Sequence, residues 1–332
     1  EFSEQVLNDS GHFELSTMYH AIFLNDLVDL VNVLNAYSQT VPKPWAGHIV
    51  RMSNWLAAMS HPDGEISFFN DAALDIAPKH TEIARYASRL NIEVPEADSN
   101  VSAILRDSGY VRAVSGLACL ICDCAPVGPT YLPGHAHADS LSFELSLRGK
   151  RVLVNSGTST YAPGDERQRQ RGTAAHNTLV VDGLDSSEVW AGFRVARRAN
   201  TVLLEADLSD PAVISASHDG YCRLPGRHVH KRRWQLDNDN LYIEDRVSGP
   251  IVPVNAYFHV HPNYHATRAA NNAVKLESGE ASSVVIDFDS VDDIRIEDGT
   301  WHPYFGVAER NQVIIASLGS NSLDTHVSWA EN

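Results

Sequence analysis

Residues 140–147 read Ser-Leu-Ser-Phe-Glu-Leu-Ser-Leu. Leu141, Phe143, Leu145 and Leu147 fall on alternate positions with Ser142, Glu144 and Ser146 between them, and a period of two puts the two sets on opposite faces of an extended strand. The same rhythm starts near Ser102 and recurs over 151–154, 177–181, 229–236, 241–244, 255–261, 283–288 and 312–316, with clusters of Gly, Pro, Asn and Asp between the runs. No helix of crossover length separates these strands, so the segment predicts antiparallel sheets packed as a large sandwich rather than a parallel α/β sheet.

Upstream the period changes. Ser16 is placed to cap a helix in which Met18, Tyr19, Ile22, Phe23, Leu27, Leu30, Val31, Leu34 and Tyr37 recur at three- and four-residue spacing. Pro42 and Pro44 end it, a second amphipathic run covers 45–59, His61-Pro62-Asp63-Gly64 makes a turn, and a shorter helix is expected over 79–90. Helices joined in this way form bundles or toroids. The expected class is α+β and multidomain, with helices over residues 1–100 and an antiparallel β-sandwich over 101–332.

Acidic residues outnumber basic ones 42 to 26, a formal net charge of -16. That field repels polyanions, which argues against nucleic acid or an anionic membrane surface as a partner. No run approaches the roughly 20 apolar residues of a membrane-spanning helix, and the opening EFSEQVLNDSGHFE lacks a signal-peptide pattern. The chain opens inside a helical pattern without an initiator Met, so a leader or an upstream N-terminal segment of the same protein is expected. Cys119, Cys122 and Cys124 crowd together, but only the distant Cys222 could complete a zinc knuckle. They read as buried thiols in a strand.

Chemistry concentrates in Gly134-His135-Ala136-His137-Ala138-Asp139. On an extended backbone His135, His137 and Asp139 project from one face, an arrangement suited to metal binding or acid–base work. His176 precedes another strand and Asn155 ends one, so a sheet that brings these ends together would gather His137, His176 and the Asn155 oxygen as three ligands of a zinc-like site. Between Arg148 and Arg198 nine basic residues stand against five acidic ones. Within that stretch Arg167, Arg169 and Arg171 alternate and would offer forked donors to an anionic ligand if extended. With Ser16 as cap, Tyr19 and His20 occupy the first turn of the helix, where the dipole favours a phenolate.

Five segments, DSGHFELSTMYH (9–20), HPDGEISFFND (61–71), GHAHADSLSFEL (134–145), VLVNSGTSTY (152–161) and RGTAAHNTLVVDG (171–183), resemble in order and spacing the heparinase II/III family of polysaccharide lyases. The resemblance implies a partial (α/α) toroid followed by an antiparallel β-sandwich, a site in the cleft between them, and β-elimination on an anionic, uronic-acid-containing polysaccharide. It also implies a periplasmic or secreted location. By similarity Tyr19 transfers the proton, His135 assists at the reacting sugar and His20 is the adjacent site histidine. His137, Asn155 and His176 fall on the positions that hold a site-organising zinc ion, and Tyr161, Arg167 and Arg171 are the expected substrate contacts.

Two departures stand out. Asn155 replaces the family's usual Asp, and the family's toroid extends upstream to supply an Asn or His that clamps the substrate carboxylate. Two other readings stay open from the residues. One is a non-catalytic carbohydrate-binding or polysaccharide-assembly module. The other is a metal-dependent hydrolase, since His-x-His also opens amidohydrolase sites, although those sit on (β/α)8 barrels and the uninterrupted strands argue against one.

Overall fold

The computed structural model of the chain describes residues 2–96, 98–269, 272–279 and 283–329. Helices α1 (Phe2–Gln5), α2 (Thr17–Ala36), α3 (Trp45–Ala58) and α4 (His80–Arg89) come first, and strands dominate from Ala103 onward. The Ser16 side chain accepts a hydrogen bond from the Tyr19 amide at 3.2 Å and starts α2 as the sequence predicts. Met18, Ala21, Leu24, Leu27, Val28 and Val31 are buried with Ile49, Met52 and Leu56 of α3 and Ile83 and Ala87 of α4. The buried stripe is narrower than the apolar pattern: Leu30 and Tyr37 stay 50% and 75% exposed on the outer side of α2.

Among the described residues the strands form sheets of nine and eight and one two-stranded pair, with every pairing between strands antiparallel, as the alternation predicts. The larger sheet runs Ala103–Leu105, Tyr110–Ser115, Ala118–Asp123, Phe143–Leu147, Lys150–Leu153, Val254–Val260, Glu309–Leu318 and Asp293–Trp301, and Leu179–Val181 pairs with Val254–Val260 off this path. The smaller one has Ser283–Asp289, Ser322–Trp329, Asn240–Val247 and His230–Leu236 at its centre, in that order. Leu145, Phe143, Phe258 and Ile314 of one sheet share a core with Trp234, Ile243, Ile286 and Val327 of the other.

The alternation in 140–147 has a second consequence. Its polar face is buried as well, because the helical segment covers it. The Glu144 carboxylate accepts from His61 Nε2 at 2.8 Å, from the Phe68 amide at 3.0 Å and from the Asn155 amide at 2.8 Å, while Ser146 meets His61 Nδ1 at 2.7 Å. Burial disfavours that charge, but the hydrogen bond and charge of His61 outweigh it and hold the Glu144 carboxyl below its ordinary value. Cys119 and Ile121 face the same way and pack with Leu15, Trp55 and Met59, whereas Cys122 points into the sandwich core. The crowded cysteines are free, buried thiols, as expected. Helices, larger sheet and smaller sheet therefore stack as three layers, and the loops at the first seam carry the residues of interest.

Candidate active site

Asp71 organises this seam. Its side chain is fully buried and accepts from His135 Nδ1 at 3.0 Å, His137 Nε2 at 2.9 Å, Thr158 Oγ1 at 3.1 Å and both terminal nitrogens of Arg167, one of them at 2.7 Å. Burial works against the charge, but the hydrogen bonds from His135, His137 and Arg167 prevail and hold the carboxyl well below its ordinary range. An ionised carboxylate only accepts. His135 Nδ1 and His137 Nε2 therefore carry protons, and His135 Nε2 and His137 Nδ1 are the ring nitrogens that face away from Asp71.

The segment around His135 is not the extended strand that the sequence suggests. Leu141 has a φ of 59° and the strand starts only at Phe143, so 134–142 is a loop. The two histidines still converge, because Asp71 draws both to itself. Asp139 instead accepts from the Asn70 amide at 2.9 Å.

Tyr19 meets this loop from the first turn of α2. Its ring lies 3.9 Å from that of His135, and its hydroxyl is 2.9 Å from that of Tyr161. The Ser16 hydroxyl that caps the helix also donates to the Asp71 carbonyl at 2.5 Å, tying the helix start to the hub. The helix dipole does not prevail at Tyr19. Burial, foremost, and the charges of Asp71 and Glu14 push its phenol above the ordinary value, against the Tyr161 hydrogen bond and Arg167. Tyr19 is a neutral phenol, a proton donor rather than a standing phenolate.

Tyr19, His135 and Tyr161 come together as the sequence predicts, with the His135 side chain 20% exposed. Three other expected site residues are placed differently. His20 is fully buried and stacks on Trp55 at 4.2 Å; its Nδ1 accepts from the His12 amide and its Nε2 donates to the Met52 carbonyl, so no nitrogen remains for a substrate. Arg167 and Arg171 are also fully buried. Residues Asp165–Arg171 form a short helix, α5, on which positions four apart share a face and Arg169 points elsewhere. Arg167 serves Asp71 and the Gly192 carbonyl, and Arg171 serves the carbonyls of Ala136, Trp190, Ala191 and Arg194. Both are clamps on the protein rather than contacts for a ligand.

The expected metal ligands divide as well. One ligand atom each from His137, Asp139 and His176 lies within 4.8 Å of the others, all three residues buried. Both ring nitrogens of His176 and Nδ1 of His137 are buried without a hydrogen-bond partner, and burial, with His137 and His259 nearby, holds the His176 imidazole neutral. These are donors suited to zinc, and the Asp71–His137 contact is the outer carboxylate that such sites use to orient a ligand. The Asn155 oxygen accepts from the Asn177 amide at 3.2 Å and its nitrogen meets Ser142 at 3.4 Å. The carboxylate that converges with the two histidines is that of Asp139.

Nothing local in the sequence marks Asp71, although it ends one of the quoted segments. Its partners lie 64 and 66 residues away, so no local period marks it. The one available signal was chemical: paired histidines that present lone pairs need a buried carboxylate behind them. Phe193, whose ring stands 6.0 Å from that of His135, is equally unmarked by any local pattern.

Comparison with known proteins agrees with this architecture. The family model "Heparinase II/III-like, C-terminal" matches residues 98–330 and "Heparinase II/III N-terminus" matches residues 1–91. The chain is 26% identical over 304 residues to FtsZ-localized protein C of Caulobacter vibrioides, covering 85% of this chain and 51% of that protein. It is 27% identical over 209 residues to a heparin-sulfate lyase of Bacteroides stercoris, covering 57% of this chain and 31% of that enzyme. It thus spans about half or less of these relatives' length. Among solved structures, a heparan sulfate lyase from Pedobacter heparinus superposes with a TM-score of 0.80 at 17% identity over 100% of this chain and 54% of that one, and a heparinase III with 0.82 at 15% over 99% and 56%. Those two likenesses concern the fold. With family models matching across both its helices and its sandwich, the chain belongs to the heparinase II/III-like family.

Proposed function

We propose that this chain carries the acid–base half of a polysaccharide lyase that cleaves a uronic-acid-containing glycan by β-elimination. The observation that supports it most is the pairing of a neutral Tyr19 phenol with an Asp71-oriented His135, their rings 3.9 Å apart. Elimination needs a lone pair at the C5 hydrogen and a proton at the departing C4 oxygen. His135 Nε2 takes the C5 proton, the C5–H electrons form the C4=C5 double bond, and the C4–O bond breaks as the oxygen takes the Tyr19 proton. The Tyr161 hydroxyl at 2.9 Å then donates to the phenolate left on Tyr19. Bulk water restores both groups.

Neutralising the uronate carboxylate is a separate task. Arg167 and Arg171 are fully engaged with the protein, so we assign it to an upstream segment of the same protein. A zinc ion held by His137 Nδ1, His176 and Asp139 would supply fixed positive charge and hold the loop that carries His135. An enzyme of this kind works where polymeric glycans are, in the periplasm or outside the cell. No helix of the described residues is long and apolar enough to cross a membrane.

The test is ultraviolet detection of unsaturated uronate ends when the longest form of the protein meets alginate, heparan sulfate, hyaluronan, chondroitin and bacterial capsular polymers. Product from one of them, lost in Tyr19→Phe, is expected. Silence across the panel moves the assignment to a non-catalytic glycan-binding or assembly module, a reading favoured by the match of 85% of the chain to a relative whose name refers to FtsZ localisation.

A further inference from the structure

The two buried arginines hold something besides Asp71. Residues Val189–Trp190 and Arg194–Val195 form a two-stranded hairpin whose turn is Ala191-Gly192-Phe193, with Ala191 at a φ of 51°. A hairpin this short has little stability of its own. Here the carbonyls of Trp190, Ala191 and Arg194 accept from Arg171, and that of Gly192 accepts from Arg167 at 3.0 Å. The same guanidinium groups grip Asp71 and the Ala136 carbonyl between the two histidines. The hairpin is therefore fixed at a set distance from His135.

What it presents at that distance is an aromatic ring. Phe193 stands edge-on to His135 at 6.0 Å and 81°, lies 5.3 Å from Tyr161, and carries the Arg167 guanidinium over its ring at 5.6 Å. It nevertheless remains 45% exposed, and Trp190 on the same hairpin 54%. A large apolar ring that is rigidly supported and open beside convergent polar groups is the make-up of a ligand wall. Pyranose rings offer a face of C–H bonds whose positive polarity suits the negative face of an aromatic ring.

Resting on the lyase reading above, we propose that Phe193 is the stacking platform for the sugar ring next to the reacting uronate. Its contribution is to affinity and register, through a neutral contact that any pyranose with an open C–H face can make.

The test measures binding and turnover separately in the full-length protein, with size-defined heparan sulfate, hyaluronan and alginate oligosaccharides as probes. Calorimetry in the Tyr19→Phe background should show an affinity loss of tenfold or more for Phe193→Ala, and Phe193→Trp should restore it. In the otherwise unaltered enzyme Phe193→Ala should raise KM by a similar factor, with a smaller change in kcat. Thermal unfolding of each variant checks that the hairpin and fold persist. Equal affinities for parent and Phe193→Ala, or a parent that binds none of the probes, overturn the platform. Phe193-dependent binding without unsaturated product would sink the lyase reading and keep the platform; turnover with a KM indifferent to Phe193 would do the reverse.

Discussion

Asp71 Oδ1 and His137 Nε2 lie 2.9 Å apart at full burial, while the other Asp71 oxygen sits 3.0 Å from His135 Nδ1. One carboxylate thus sets the tautomer of two histidines that face different ways, His135 toward Tyr19 and Tyr161 and His137 toward Asp139 and His176. The candidate acid–base pair and the candidate metal cluster share an orienting group, and disturbing it reaches both.

Asp71→Asn keeps the shape of the side chain and removes its charge. Arg167 then stays buried without a counter-charge, which costs on the order of 3–5 kcal/mol. Chemical denaturation should show that loss, and any metal affinity should fall with it. A variant as stable as the parent would mean that the Arg167–Asp71 pair is not the anchor described.

Metal content separates the two candidate ligand sets. Equilibrium dialysis against zinc followed by elemental analysis should give stoichiometric binding in the parent and loss in His176→Ala and in Asp139→Asn, with Asn155→Ala affected less. Zinc retained by His176→Ala removes that residue from the set.

Acid should weaken this fold before its carboxylates titrate. Burial lowers His20 to about 3 and His259 to about 4, against an ordinary 6.5. As pH falls below about 6.5 the unfolded chain takes up protons at these histidines while the folded one does not. Their contribution is complete above that pH and declines as pH falls toward about 3 to 4. Unfolding midpoints between pH 7 and 4.5 should drop in the parent, and the slope should be shallower in His20→Gln.

Ser16 joins α2 to the hub through its hydroxyl, which accepts from the Tyr19 amide and donates to the Asp71 carbonyl. Ser16→Ala should cost about 0.5–2 kcal/mol, as an N-cap loss does, and should lower turnover further by loosening Tyr19 against His135. Unchanged stability would show that the cap is dispensable.

Much of the architecture is legible in residue periodicity, because alternation and helical spacing are consequences of burying one face. Strands at 230–236, 254–260 and 283–289 lie within one or two residues of where the pattern puts them. The Ser16 cap is legible for the same local reason. The arginines are not: alternation at 167, 169 and 171 reads as extended, whereas the backbone winds into α5 and splits the set. Tyr19 stands out at a capped helix start and His135 in a His-x-His run, whereas Tyr161 is legible only through motif resemblance. Asp71 and Phe193 depend on contacts across dozens of residues, which no window of sequence displays.

Glu144 decides what happens when this chain is cut. Its carboxylate is satisfied by donors from the helical segment and from the strand end at Asn155 together, and Cys119 and Ile121 lie beneath the same helices. A sandwich produced without residues 1–100 would expose an apolar sheet face punctuated by a carboxylate stripped of two partners. Such a truncation should aggregate, whereas a monomeric, cooperatively unfolding 101–332 would show that the join between helices and strands bounds a unit that folds on its own.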